Sequence, residues 1–307
     1  MVSNIGVRDP IPGVVYPDSA RLNKYVQDGV LPTYSLVSAL MESFAINADK
    51  TAIVTEDRSF SYAEIDDISD RFAGALIKLG LRPLDRVLFQ SANSAQLVFS
   101  VLGCLKAGLI PVCTLPGHRS AEISYIGTHV EARAHIVQGD DEKFDLVEFA
   151  TSMREQIATM EYVIAIGGQP VAGSLRFDDL LANQDRDEAL SLLRRVTHDP
   201  YQVAVFQLSG GTSGVPKVIP RMQNEYLLNI TLGIKNLGFA NNDVMFMPMP
   251  MMHNASMVCM WLPTLVCGAT FTIPSNMTPL AWAKIFKKST PTIVGFIRAL
   301  LPRYDEM

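Results

Sequence analysis

Between Ser61 and Cys113 the hydrophobic period of the sequence changes repeatedly, and this alternation restricts the fold more than any other feature. In SYAEIDDISDRFAGALIKLG the residues Ile65, Ile68, Phe72, Leu76 and Leu79 recur on one helical face, and Ser61 with Glu64 forms the pattern of a capping box. Gly80 supplies the stop. RVLFQ (86–90) then reads as a buried strand, NSAQLVFSVLGCLKAG (93–108) as a helix ending in glycine, and LIPVC (109–113) as the next strand. A helix that carries the chain from one strand to the next parallel strand is a βαβ crossover. The expected class is therefore α/β, with two packed, mostly parallel sheets flanked by helices. Further strands are expected at 134–138, 161–166, 202–208, 244–247, 269–273 and 292–296.

The polar stretch 167–199 ends in the charged segment NQDRDEALSLLRRVTHD, which reads as a surface helix and linker. It suggests a boundary near residue 198, with a first α/β subdomain and N-terminal extension over 1–198 and a partial second subdomain over 199–307. The last residues, TIVGFIRALLPRYDEM, read as a strand and the first turns of a helix. No further strand follows, so either a terminal helix caps the fold or this is the front part of a longer architecture.

One segment raises the question of a membrane. Residues 244–283 contain no Asp, Glu, Lys or Arg, and ASMVCMWLPTLVCGATFTI has about the length of a bilayer span. Pro263 and Gly268 interrupt it, TFTI has strand character, and flanking positive charge is missing, so a buried helix followed by a buried strand is the better reading. A net charge of −5 without a basic stripe argues against nucleic acid as a partner. Cys104, Cys113, Cys259 and Cys267 lie far apart in apolar runs, which suits free thiols in a reducing compartment. The N-terminus has no signal-peptide pattern, and a cytoplasmic location is the expectation.

Chemistry concentrates in QVAVFQLSGGTSGVPKVIPR (202–221), an apolar strand running into Ser209, Gly210, Gly211, Thr212, Ser213 and Gly214, with Lys217 three positions later. Glycines let a tight loop expose consecutive backbone N–H groups, hydroxyls add donors, and lysine adds charge, so the composition suits a phosphate. The Gly-Lys-Ser/Thr ending of a Walker A loop is absent, because Pro216 precedes the lysine and Val218 follows it. On composition alone, a surface loop of turn formers remains the alternative. A second unusual segment, MFMPMPMMHN (245–254), could hold a soft metal through thioether and imidazole, or line a pocket for an apolar ligand.

LSGGTSGVPK continued by VIPR resembles the phosphate-binding signature of the adenylate-forming superfamily, in particular the aryl-acid-AMP ligases such as 2,3-dihydroxybenzoate-AMP ligases of siderophore pathways. Ser213 stands where a second threonine is usual and keeps the hydroxyl. FSYAEI (60–65), LKAGLIPV (105–112), TLPGHRSAEI (114–123) and PMMHN (250–254) extend the resemblance along the chain. It implies the fold of the N-terminal domain of these enzymes, without their small C-terminal domain. It further implies ATP and Mg²⁺ as cofactors, a small aryl or alicyclic carboxylic acid as substrate, and the thiol of a carrier protein or CoA as acceptor. Ser209 to Gly214 and Lys217 would hold the phosphates, and Lys217 and His253 would be catalytic. No residue of this chain is assigned to a metal. The family's aromatic-Gly-x-x-Glu and Ser/Thr-Gly-Asp segments do not occur in this sequence. The resemblance thus implies weak or no activity for these residues alone and a complementary C-terminal chain as a partner. The alternative is a non-catalytic interaction module of the same fold.

By the same resemblance, His253 borders the acid pocket and Asn254 bonds a 2-hydroxyl on the ring. Ala255 replaces a usual tyrosine and Cys259 a usual serine, so loss of a hydroxyl partner relaxes selection for a second ring hydroxyl. Salicylate-like, anthranilate-like, simple aryl and alicyclic acids all remain open. Met245, Met247 and Met249 are expected to be mostly core, and Met251 and Met252 to lie nearest the acid.

Overall fold

The computed structural model describes residues 5–169, 171–209 and 216–295. In chain order the strands are β1 (Thr51–Thr55), β2 (Ser59–Ser61), β3 (Arg86–Gln90), β4 (Ile110–Val112), β5 (Ala132–Gln138), β6 (Tyr162–Ile166), β7 (Leu175–Arg176), β8 (Val203–Leu208), β9 (Val218–Met222), β10 (Val244–Phe246), β11 (Thr270–Ile273) and β12 (Ile293–Val294). They form a seven-stranded sheet ordered β7-β6-β5-β3-β4-β8-β9 and a five-stranded sheet ordered β12-β10-β11-β1-β2. Every pairing is parallel except β1 with β2 and β8 with β9. The expected class is the observed one.

Sheet membership crosses residue 198 in both directions. The early strand β1 pairs with β11, registering Ile53 against Phe271, whereas the later strand β8 joins β4 through Val112 and Phe206. Hydrophobic periodicity identifies strands but carries no information on which strand neighbours which, so this interleaving is not legible in the sequence.

The capping box forms as read: Ser61 Oγ accepts from the Glu64 N–H at 3.1 Å, and the Ser61 N–H donates to Glu64 Oε2 at 2.8 Å. It opens the helix Tyr62–Lys78, which packs on the helix Ala95–Lys106. In the latter every residue except Gln96 is buried, as expected of a helix enclosed on all sides. Gly103 permits the close approach, since a Cβ there would lie 2.7 Å from the Phe72 ring. Phe72, Phe89, Val98, Ile53 and Phe271 belong to one core cluster that includes strands of both sheets.

The uncharged run becomes a short helix Asn254–Ser256, a π-helical turn Met257–Trp261, a helix Leu262–Cys267 and then β11. Gly268 ends the helical part at φ +78°, where a Cβ would also stand 2.5 Å from the Asn47 amide. Among the described residues no helix is long and apolar enough to cross a membrane. Of the last expected strand, Ile293 and Val294 pair with β10, while the helix expected after it lies outside the described residues.

Candidate functional site

The glycine-rich segment connects two antiparallel strands, β8 and β9, in register Leu208 with Val218 and Gln207 with Ile219. The VIPR tail of the motif is thus part of strand β9, a separate element from the loop. At the neck, the Ser209 N–H donates to the Lys217 carbonyl at 3.0 Å, and the Lys217 N–H donates to Ser209 Oγ at 3.0 Å. Lys217 is exposed, which leaves its ammonium available to an anion. Gly210, Gly211, Thr212, Ser213 and Gly214, expected to bind phosphate, lie outside the described residues.

The second part of the site begins where the methionine run leaves β10. Met245, Met247, Met251 and Met252 are buried in the main core cluster, with Met249 partly buried against it. The thioethers therefore pack among apolar side chains. Asn93, in the turn between β3 and its following helix, holds the run in place. Its Nδ2 donates to the Met249 carbonyl at 2.7 Å, and its Oδ1 accepts from the Met251 N–H at 2.8 Å. Trp261 Nε1 donates to the Met251 carbonyl at 3.0 Å. Two elements distant in sequence thus fix the path of the chain into His253.

His253 is the N-cap of the short helix and is exposed. Its Nδ1 accepts from the Ala255 N–H at 3.2 Å, which leaves Nε2 as the donor nitrogen of the ring, and among the described residues no hydrogen bond is made by Nε2. Ala255 is half-buried behind it, and Cys259 is half-buried in the π-helical turn. Among the described residues no hydrogen bond or ion pair joins Lys217 to His253.

Asn254 is tied to the loop-bearing hairpin. Its Oδ1 accepts from the Tyr226 hydroxyl at 3.1 Å and from Arg221 Nη1 at 3.4 Å. Arg221 lies on β9, and Tyr226 on the helix Gln223–Leu237 that follows. The Arg221 guanidinium forms a two-pronged ion pair with Glu225, with Nε 3.1 Å from Oε2 and Nη2 bonded to Oε1, and stands 4.8 Å from the Tyr226 ring centre. Behind Tyr226, Gln207 Nε2 donates to the phenolic oxygen at 3.1 Å and contacts Met257 Sδ at 2.9 Å. Burial, chiefly, drives the Tyr226 hydroxyl well above the usual phenol range, so it keeps its proton.

Gln207, Arg221, Glu225, Tyr226 and Asn93 were not singled out from sequence as site residues. Arg221 and Glu225 are four apart, but one lies on a strand and the other on a helix, so helical spacing does not announce the pair. The approach of Tyr226 to Asn254, 28 positions away, carries no local signal either.

A sequence profile described as AMP-binding enzyme matches residues 40–302. Triostin synthetase I of Streptomyces triostinicus is 32% identical over 292 residues, which is 94% of this chain and 52% of that protein. The salicyl-AMP ligase / salicyl-S-ArCP synthetase of Mycobacterium tuberculosis is 31% identical over 241 residues, 78% of this chain and 41% of that protein. Among solved structures, the Mycobacterium smegmatis MbtA apo structure matches with a TM-score of 0.86 and 27% identity, over 96% of this chain and 54% of that one. The chain spans about half the length of the curated relatives it matches.

Proposed function

This chain belongs to the AMP-binding enzyme family, and from that premise we propose that it supplies the phosphate loop and acid-binding corner of an enzyme that activates an aryl carboxylic acid. In the proposed reaction a carboxylate oxygen attacks the α-phosphorus of ATP, forming the acyl-adenylate as the bond to pyrophosphate breaks. A carrier-protein or CoA thiol then attacks the acyl carbon and AMP leaves. Such chemistry asks for positioning and charge neutralisation rather than a nucleophilic side chain.

Ser209 and Lys217 would grip the departing phosphates together with Gly210, Gly211, Thr212, Ser213 and Gly214. His253 Nε2–H would meet the carboxylate, and Asn254 the ring substituent beside it. Mg²⁺, when bound, would offset phosphate charge. With no ring or serine hydroxyl at Ala255 and Cys259, selection for a second ring hydroxyl would be relaxed. The observation that carries the reading is the bond from Arg221 to Asn254: the strand that leaves the phosphate loop also anchors the acid corner.

Thermal unfolding of the 307-residue chain with ATP, 2-hydroxybenzoate, 2,3-dihydroxybenzoate and cyclohexanecarboxylate tests this reading. Protection by ATP and by at least one acid is expected, and no protection by any of them contradicts it. ATP–pyrophosphate exchange by these residues alone is expected to be weak or absent.

A further inference from the structure

The chain Gln207–Tyr226–Asn254 has a direction that is fixed at both ends. Arg221 sits at the Asn254 end, 3.4 Å from the amide oxygen, and a guanidinium can only donate. Met257 Sδ sits at the Gln207 end, 2.9 Å from the amide nitrogen, and a thioether can only accept. The Tyr226 oxygen therefore accepts from Gln207, and its one proton goes to Asn254 Oδ1. Reversing the chain would turn the Asn254 NH₂ toward the guanidinium and the Gln207 oxygen toward sulfur lone pairs, so both ends oppose it. Gln207, Tyr226 and Met257 are buried, and no water replaces these partners cheaply. Among the described residues Asn254 Nδ2 donates to no protein group.

We propose that Tyr226, held by Gln207, is a positioning residue that together with Arg221 fixes the amide polarity of Asn254, so that the corner presents only N–H donors and selects acids bearing a hydrogen-bond acceptor next to the carboxylate. This rests on the reading of His253 and Asn254 as the acid corner. The chemistry separates close analogues. In 2-hydroxybenzoate the phenolic proton bonds to the adjacent carboxylate, leaving oxygen lone pairs outward for Asn254 Nδ2. In 2-aminobenzoate the nitrogen lone pair is drawn into the ring and an N–H points outward, donor against donor. Benzoate offers neither.

The test measures dissociation constants of the 307-residue chain for the three acids, in wild type and Tyr226→Phe. Wild type is expected to bind 2-hydroxybenzoate at least about tenfold more tightly than 2-aminobenzoate, a gap of roughly one buried hydrogen bond. In Tyr226→Phe the amide loses the shorter of its two donors and keeps only Arg221 at 3.4 Å, and the ratio is expected to fall below about threefold while benzoate binds as before. A merely structural role predicts equal weakening of all three acids, and that result, or an unchanged ratio, overturns the proposal. A second readout needs no acid. With asparagine side chains labelled with ¹⁵N and the Asn254 pair assigned by its loss in Asn254→Ser, wild type should show one sharp NH₂ pair that shifts and broadens in Tyr226→Phe. If no acid binds but this change is seen, the acid-corner reading fails and the positioning role stands. An unchanged NH₂ pair overturns the positioning role itself.

Discussion

Ser209 and Lys217 exchange hydrogen bonds of opposite direction: the Ser209 N–H reaches the Lys217 carbonyl and the Lys217 N–H reaches the Ser209 hydroxyl, each at 3.0 Å. The first bond continues the β8–β9 ladder, and the second uses a side chain to close the neck of the glycine-rich segment. Ser209→Ala removes only the second. We expect a loss of about 1 kcal/mol in stability to urea and a severalfold weaker affinity for inorganic pyrophosphate. Lys217→Met should leave stability unchanged, weaken pyrophosphate about tenfold, and flatten the salt dependence of its binding. Pyrophosphate binding indifferent to both substitutions would remove the loop from the site.

Asn93 holds the chain that leads into His253. Its amide bonds both Met249 and Met251 and so sets the approach to His253. Asn93→Ala is expected to cost about 1–3 kcal/mol, because two backbone groups lose their partner, and to weaken acid binding beyond the loss from any global effect. Equal acid affinity in wild type and variant at a temperature where both are folded would show that the turn does not position the corner.

His135 sits in β5 fully buried, and neither ring nitrogen has a hydrogen-bond partner among the described residues. Burial pushes its titration from 6.5 down to about 3. The unfolded chain therefore binds more protons between these values. Stability from this group is complete above pH 6.5 and falls as pH drops toward 3, by up to about 1.4 kcal/mol per pH unit. His135→Leu should stabilise by about 1–3 kcal/mol at pH 7 and flatten the acid limb of the stability profile. Urea unfolding at pH 5 and 7 distinguishes this from a destabilised variant with an unchanged slope.

Lys106 is almost fully buried with its Nζ 2.6 Å from Asp66 and 2.7 Å from Asp70, and Arg186 reaches Asp70 only at 3.6 Å. Burial raises the Asp70 carboxyl above its usual range, partly offset by Lys106. Lys106→Met leaves that carboxylate with one distant cation and should cost about 3–5 kcal/mol, whereas replacing the pair by Lys106→Met with Asp70→Leu should recover much of the loss. A single variant within 1 kcal/mol of wild type would contradict this role for the pair.

What the sequence made legible was local. The capping box at Ser61 and Glu64, the helix expected over 93–108 and found over 95–106, and the apolar strands depend on neighbours within a few positions. Strand order depends on distant pairs such as Ile53 with Phe271, and the turn of VIPR into β9 depends on its antiparallel partner. The proposed acid corner was half legible. His253 and Asn254 stood out through family resemblance, while the groups that orient Asn254 come from β8, β9 and a helix and have no common motif. The methionine run, conspicuous as a metal or ligand motif, is largely core filling held by Asn93.

In the proposed function the β8–β9 loop and the His253–Asn254 corner serve one acyl-adenylate. Isothermal titration of the 307-residue chain with a non-hydrolysable mimic of 2-hydroxybenzoyl-adenylate tests it most directly. One site per chain is predicted, with affinity reduced at least about tenfold by Asn254→Ala and also reduced by Lys217→Met. No binding by the folded wild type, or binding that neither substitution weakens, would contradict the account.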